Sequence, residues 1–166
     1  MTSPFRYYLR VRYQDCDPQH VVFNSRYSEY ADLACFEFLR TALPRPTDGF
    51  DGTFEIQNVR QVTEWKSPAR FDDVLEISAW VSRIGTTSFT LSTEMRRVDG
   101  PSDPSGSRRG GPREGGRPHV LATTETTYVH VDPKTFTKRA IEPHMRAALE
   151  SGARGKITDH AGYLRA

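Results

Sequence analysis

One stretch of this chain places apolar side chains at helical spacing over several turns, and strand-like alternation lies on both sides of it. Tyr27, Tyr30, Ala31, Ala34, Cys35 and Phe38 recur with that period, while Leu33 and Phe36 widen the apolar surface. Asn24 or Ser25 can cap the start, and Pro44 and Pro46 set the limit of the end. A helix this apolar needs a broad partner, and a sheet supplies one.

The sheet is legible as alternation. Phe5, Tyr7, Leu9, Val11 and Tyr13 fall on one face of a strand, with Arg6, Tyr8, Arg10 and Arg12 on the other. Gln14-Asp15-Cys16-Asp17-Pro18 ends that strand in a turn or loop. After the helix, residues 54–65 predict a second strand whose phase shifts near Asn58, the mark of a bulge. Leu75 to Val81, closed by Gly85, and Phe89 to Met95 predict two more. Residues 120–131, rich in Val, Thr and Tyr, predict another, stopped by Asp132-Pro133. A short strand is expected over 137–141, then a small helix over 144–150 with Pro143 in its first turn and Gly152 beyond it. One helix against a mainly antiparallel sheet of five or six strands is an α+β arrangement.

Hydrophobic residues make up 36% of the 166 residues, a low share with a local cause. Residues 99–119 are nearly free of apolar side chains and rich in Gly, Pro, Ser and Arg. Such a segment cannot bury enough surface to offset its ordering entropy, so it is expected to be a disordered loop between two strands that otherwise form a hairpin. Arg108, Arg109, Arg113 and Arg117 within it are candidates to reach a phosphate. The expected organisation is one domain over residues 1–152 and a tail over 153–166.

A formal net charge of +2 gives no field that calls for nucleic acid. Two cysteines, Cys16 and Cys35, lack zinc-type spacing. No apolar run is long enough to span a bilayer. Met1 leads straight into alternating sequence rather than a secretory signal, so the cytoplasm is the expected location.

Val11-Arg-Tyr-Gln-Asp15-Cys-Asp17-Pro-Gln-His-Val21-Val22-Phe23-Asn-Ser-Arg-Tyr27 resembles the 4-hydroxybenzoyl-CoA thioesterase family of hotdog-fold proteins. That family shows an aromatic residue, an Asp-x-Asp pair, a short linker, two apolar residues, an aromatic, and a Tyr early in the central helix. Trp65-Lys-Ser-Pro-Ala-Arg-Phe71-Asp-Asp73, Gly85-Thr-Thr-Ser88-Phe89 and Val129-x-Val131-Asp132 agree in order. The resemblance covers residues 5–150 apart from the basic insertion.

The resemblance implies a hotdog fold and hydrolysis of an acyl-CoA thioester, with no cofactor or metal. It gives Asp17 the role of the catalytic carboxylate, either attacking the thioester carbonyl or activating water as a general base. The oxyanion donor it implies is the backbone N–H of Asn24 at the leading end of the helix. Phe23, Tyr27, Thr87 and Ser88 are the implied substrate contacts. The implied assembly is a homodimer or tetramer with the active site between subunits. A carrier-protein thioester and a non-catalytic acyl-CoA-binding module are the alternatives.

Asp15 is expected to serve structure by holding backbone N–H groups or an arginine. Glu29, Asp32 and Glu37 on the helix are expected to face solvent or a subunit interface. Cys16 lacks an accompanying base, and His130 with Asp132 lacks a third ligand. His20 stands where the family commonly has Gly. Either the turn differs, or His20 takes a positive φ and serves in proton transfer or, the reading favoured here, lines the entrance.

Overall fold

The structure is a computed structural model that describes residues 3–43, 54–98, 113–114 and 117–165. In chain order these form β1 (Phe5–Arg10), a 3-10 turn (Tyr13–Asp15), α1 (Arg26–Ala42), β2 (Glu55–Trp65), β3 (Val74–Ile84) and β4 (Ser88–Val98). There follow β5 (Arg113–Glu114), β6 (Arg117–Pro118), β7 (Val120–Val131), α2 (Pro143–Ser151), β8 (Ile157–Asp159) and a second 3-10 turn (Tyr163–Arg165).

Six strands make one sheet in the order β2-β7-β4-β3-β1-β8, antiparallel except for the parallel pair of β1 and β8. The inner face buries α1. Tyr27, Tyr30, Ala31, Ala34, Cys35 and Phe38 of the helix are all buried, as the spacing predicts, and Leu39 is buried with them. They meet Phe5, Leu75, Ile77, Ala79, Phe89, Leu91 and Met95 of the strands in one continuous core. Phe38 packs edge-to-face on Phe5 with ring centroids 5.9 Å apart, the geometry aromatic quadrupoles favour. Leu33 and Phe36 instead lie on the outer side of α1, 45% and 44% exposed, because a single sheet covers one side of the helix only.

The bulge expected near Asn58 is present: the β2–β7 register shifts between Asn58 and Arg60. β4 and β7 pair as expected for the arms of an interrupted hairpin. Within the basic insertion the described residues form a two-strand ladder, Arg113 opposite Pro118 and Glu114 opposite Arg117. The remainder of the expected disordered loop, with Arg108 and Arg109, lies outside the described residues. α2 starts at Pro143 and ends at Ser151, capped by Gly152, whose φ of 65° is the left-handed conformation that glycine adopts without a Cβ clash.

Four local expectations are corrected. β1 ends at Arg10, and Tyr13 sits in the 3-10 turn with 83% of its surface exposed. The alternation through Tyr13 continued past the strand because Val11 still reaches the core from the connecting segment. Residues 137–141 form a single bridge, Lys138 with Val131, rather than a strand. α1 starts at Arg26 with Ser25 at the cap position, one of the two expected, but Ser25 is already helical and its side chain makes no cap bond.

The fourth concerns residues 153–166, expected as a tail. Ile157–Asp159 pairs with Arg6–Tyr8, and the Asp159 carboxylate accepts the N–H groups of Ala161, Tyr163 and Leu164. This returning segment covers the outer face of β1. There Tyr8, expected on the polar side, is 3% exposed, stacks on Tyr163 at 5.6 Å and donates its hydroxyl to Glu76. Among the described residues no helix is long and apolar enough to cross a membrane.

Candidate active site

The segment between β1 and α1 folds back on itself as a short antiparallel ladder. Cys16 lies opposite Val22. The Asp17 N–H donates to the Val21 carbonyl at 2.9 Å, and the Phe23 N–H to the Asp15 carbonyl at 2.9 Å. The ladder is fastened to the loop between β2 and β3 by the Val22 N–H, which donates to the Ala69 carbonyl at 2.8 Å. Tyr27 completes the joint from α1: its hydroxyl accepts the Ala69 N–H at 3.1 Å.

Asp15 is the anchor. It is fully buried, and its carboxylate accepts the Arg12 guanidinium at 2.9 and 3.2 Å, the Arg12 backbone N–H at 2.9 Å and the Tyr30 hydroxyl at 2.9 Å. Burial on its own would raise the Asp15 pKa. The hydrogen bonds from Arg12 and Tyr30 outweigh that penalty and hold it below the usual carboxylate value. Both expected structural roles, binding N–H groups and binding an arginine, are thus filled at once.

Asp17 stands at the tip of the ladder, partly exposed. One carboxylate oxygen accepts the Gln19 N–H at 2.8 Å. The Asp17 carbonyl accepts the His20 N–H at 2.9 Å, closing the turn. His20 adopts φ of 61°, so the glycine-like turn is kept with a histidine in it. At the other end of the ladder the chain enters α1. Arg26, Tyr27 and Ser28 donate to the carbonyls of Phe23, Asn24 and Ser25, whereas the N–H groups of Asn24 and Ser25 meet no acceptor among the described residues.

The other implied contacts divide. His20 is exposed and Phe23 is 53% exposed beside the turn. Tyr27 is 2% exposed, committed to the core and to Ala69, so it positions the loop rather than presenting a surface. Thr87 and Ser88 lie at the turn between β3 and β4, whereas the ladder sits at the opposite end of β3, where Val74 pairs with Arg10. Eleven strand residues separate the two ends, roughly 30 Å. One chain does not bring these groups together.

Of the helix carboxylates, Glu29 pairs with Arg26 at 2.6 Å and Glu37 with Arg40 at 3.4 Å. Asp32 departs from the expectation: it turns toward the sheet and accepts the Tyr128 hydroxyl at 3.1 Å. Burial raises its pKa and that hydrogen bond opposes the rise. Asp132 accepts the Lys134 and Thr135 N–H groups and the Thr135 hydroxyl, and His130 Nδ1 lies 3.1 Å from the Ala140 carbonyl. Both therefore serve the local turn. Burial, then the adjoining Asp15 and Asp17, push the Cys16 thiol pKa up, away from thiolate chemistry. A cavity of about 370 Å³ lined by Trp80, Leu149 and Arg154 lies toward the other end of β3.

Sequence reasoning missed Arg12 and Ala69 as the fixtures of the turn. Ala69 acts through backbone atoms alone, which no side-chain pattern can show. Arg12 read as one more polar position of a strand.

A long helix packed along one face of a six-strand, mainly antiparallel sheet defines the class: a hotdog fold. The chain belongs to the thioesterase superfamily, whose family model matches residues 19–103. That match starts two residues after Asp17 and rests on the α1–β4 region. A putative esterase from Aquifex aeolicus is 32% identical over 96 residues, covering 58% of this chain and 75% of its own. The acyl-CoA thioester hydrolase YbgC from Escherichia coli is 32% identical over 101 residues, 57% of this chain and 70% of its own. Among solved structures, a gentisyl-coenzyme A thioesterase superposes with a TM-score of 0.68 at 23% identity, over 87% of this chain and 98% of that one. A 4-hydroxybenzoyl CoA thioesterase mutant complexed with 4-hydroxybenzoyl CoA gives 0.67 at 19%, over 87% and 96%. At these identities the two structures speak to the fold.

Proposed function

We propose that this protein hydrolyses an acyl-CoA thioester to the free acid and CoA, with Asp17 acting on the thioester carbonyl and the Asn24 backbone N–H receiving the oxyanion. The supporting observation is a partly exposed carboxylate at one end of the ladder and, just past its other end, an Asn24 N–H that meets no acceptor among the described residues. Their spacing suits the chemistry. With Cys16 opposite Val22, Asp17 and Asn24 stand three register positions apart, roughly 10 Å along the ladder. A carboxylate oxygen at attack distance, about 3 to 3.5 Å from carbon, plus a carbonyl bond and an N–H···O bond, spans about 7 Å. To cover the remainder the Asp17 side chain turns from the Gln19 N–H, which it accepts in the free protein, toward the helix start.

The reaction then runs in one of two ways. Asp17 attacks the carbonyl carbon, expels CoA thiolate and leaves an anhydride that water cleaves. Otherwise Asp17 takes a proton from water, which attacks while CoA thiolate departs. In both, negative charge grows on the carbonyl oxygen at the helix start, where a preorganised donor contributes about 3 to 4 kcal/mol.

The site is completed by a second copy of the chain. β2 is an edge strand, and Val59, Val62 and Trp65 on it are 58%, 40% and 52% exposed. Antiparallel pairing of two β2 edges would carry the far end of one sheet to the near end of the other. The Thr87–Ser88 turn of a second copy would then lie at the Asp17 end of the first. Exposed apolar edges are liabilities that proteins cover, and the dimer or tetramer implied by the sequence does so. His20 and Phe23 line the entrance on this reading. CoA thioesters are favoured over carrier-protein thioesters because the YbgC relative is named for acyl-CoA.

The test is free-thiol release from aromatic, short-chain and long-chain acyl-CoAs. Turnover of at least one is expected. Binding without turnover across the series would favour the acyl-CoA-binding module.

A further inference from the structure

Tyr13 and Phe71 form an aromatic ledge in solvent, 83% and 51% exposed, with ring centroids 6.1 Å apart at 85°. Two large rings held together in water are an unusual use of apolar surface, since nothing in the described chain buries them. The ledge is stiff. Tyr13 belongs to the 3-10 turn, whose carbonyl accepts the Cys16 N–H at 3.2 Å. Phe71 belongs to the loop before β3, closed by the Asp73 N–H on the Arg70 carbonyl and the Arg70 N–H on the Asp73 carboxylate. The two turns are tied by Val11 N–H to the Asp73 carbonyl at 2.9 Å and Asp72 N–H to the Val11 carbonyl at 3.1 Å. Asp72 holds φ of 69° in doing so, braced by Arg10 at 3.1 Å.

The ledge adjoins the site. Asp17 is one residue from Cys16, which hangs on Tyr13, and the Asp17 ladder hangs on Ala69, two residues before Phe71. Arginines surround it: Arg10 is paired with Asp72, Arg12 with Asp15 and Arg97 with Asp73, while the exposed Arg70 guanidinium has no partner among the described residues.

We infer that this ledge binds the nucleotide end of CoA, its rings against the adenine and Arg70 at a phosphate. The inference rests on the acyl-CoA reading above and extends it. An acyl group does not suit rings this exposed, because no enclosing wall keeps water from it. A purine carrying phosphates does: its π faces stack on aromatic side chains, its edges stay hydrated, and its anionic groups meet guanidinium. A second copy of the chain is the competing occupant.

The experiment compares wild type with Tyr13→Ala/Phe71→Ala and with Arg70→Ala. Calorimetric titration with free CoA is read beside turnover of an acyl-CoA and of the same acyl pantetheine, which lacks the nucleotide. The expected result is CoA binding weakened about tenfold or more by the double variant and several-fold by Arg70→Ala. KM for the acyl-CoA rises in step, while the pantetheine ester loses less than twofold and the assembly mass and melting temperature hold. Equal CoA affinity in wild type and double variant, or no CoA binding by wild type, overturns the inference. So does equal damage to both esters, or a changed assembly mass, which would make the ledge a subunit contact. Ring-dependent CoA binding with neither ester cleaved would leave the ledge standing and remove the thioesterase reading instead.

Discussion

The Tyr30 hydroxyl donates to the buried Asp15 carboxylate at 2.9 Å, so α1 itself holds the turn that presents Asp17. Removing that donor leaves Asp15 with Arg12 alone. Tyr30→Phe is expected to cost about 1.5 to 3 kcal/mol of stability, as for a hydrogen bond to a charged group. It should also lower kcat several-fold through a looser turn. Urea denaturation and thiol-release kinetics check the two effects separately.

Asp15 also sets an acid limit. Its folded-state pKa lies below its unfolded value, so it binds protons more readily when unfolded. The stability it contributes is therefore present above the unfolded carboxylate range, near pH 4, and is lost as pH falls through the folded value. Denaturation midpoints measured between pH 7 and pH 3 should fall steeply for wild type at the acid end. Asp15→Asn should be less stable at pH 7 and should show a shallower acid limb.

His20 holds φ of 61°, a conformation that costs a residue with a Cβ about 1 to 2 kcal/mol. Glycine adopts it freely but gains entropy in the unfolded chain. His20→Gly is expected to be stabilising by about 0.5 to 1 kcal/mol with kcat within a few-fold of wild type. A loss near a hundredfold would instead assign His20 to proton transfer.

The sequence carried the fold through two periods. The 3.6-residue spacing of Tyr27 to Phe38 and the alternation of the strands both register a single burial face, and the faces of α1, β1, β3 and β4 proved buried, whereas the edge strand β2 keeps no fully buried side chain. The phase shift at Asn58 was legible for the same reason, since a bulge moves every later side chain to the other face. Tyr8 was misread because its cover, Tyr163, is 155 residues away and leaves no local trace. The Asp15 anchor was legible in kind, but its partners Arg12 and Tyr30 read as a strand polar position and a core aromatic. The joint at Ala69 is a backbone contact and has no signature in side-chain pattern.

Assembly gives a further prediction. Val62 lies 40% exposed on the β2 edge strand, and a charge there should oppose pairing of two such edges. Val62→Lys is expected to reduce the assembled mass toward that of one chain in light scattering. Activity should become dependent on protein concentration, while the melting curve stays cooperative.

The most direct measurement concerns Asp17, whose carboxylate accepts among the described residues the Gln19 N–H alone and lies outside the core. With a thioester that wild type cleaves, Asp17→Asn is expected to lower kcat at least a thousandfold, about 4 kcal/mol of barrier, with an unchanged melting temperature. A variant that folds normally and turns over within tenfold of wild type would contradict the assignment of the carboxylate to the reaction.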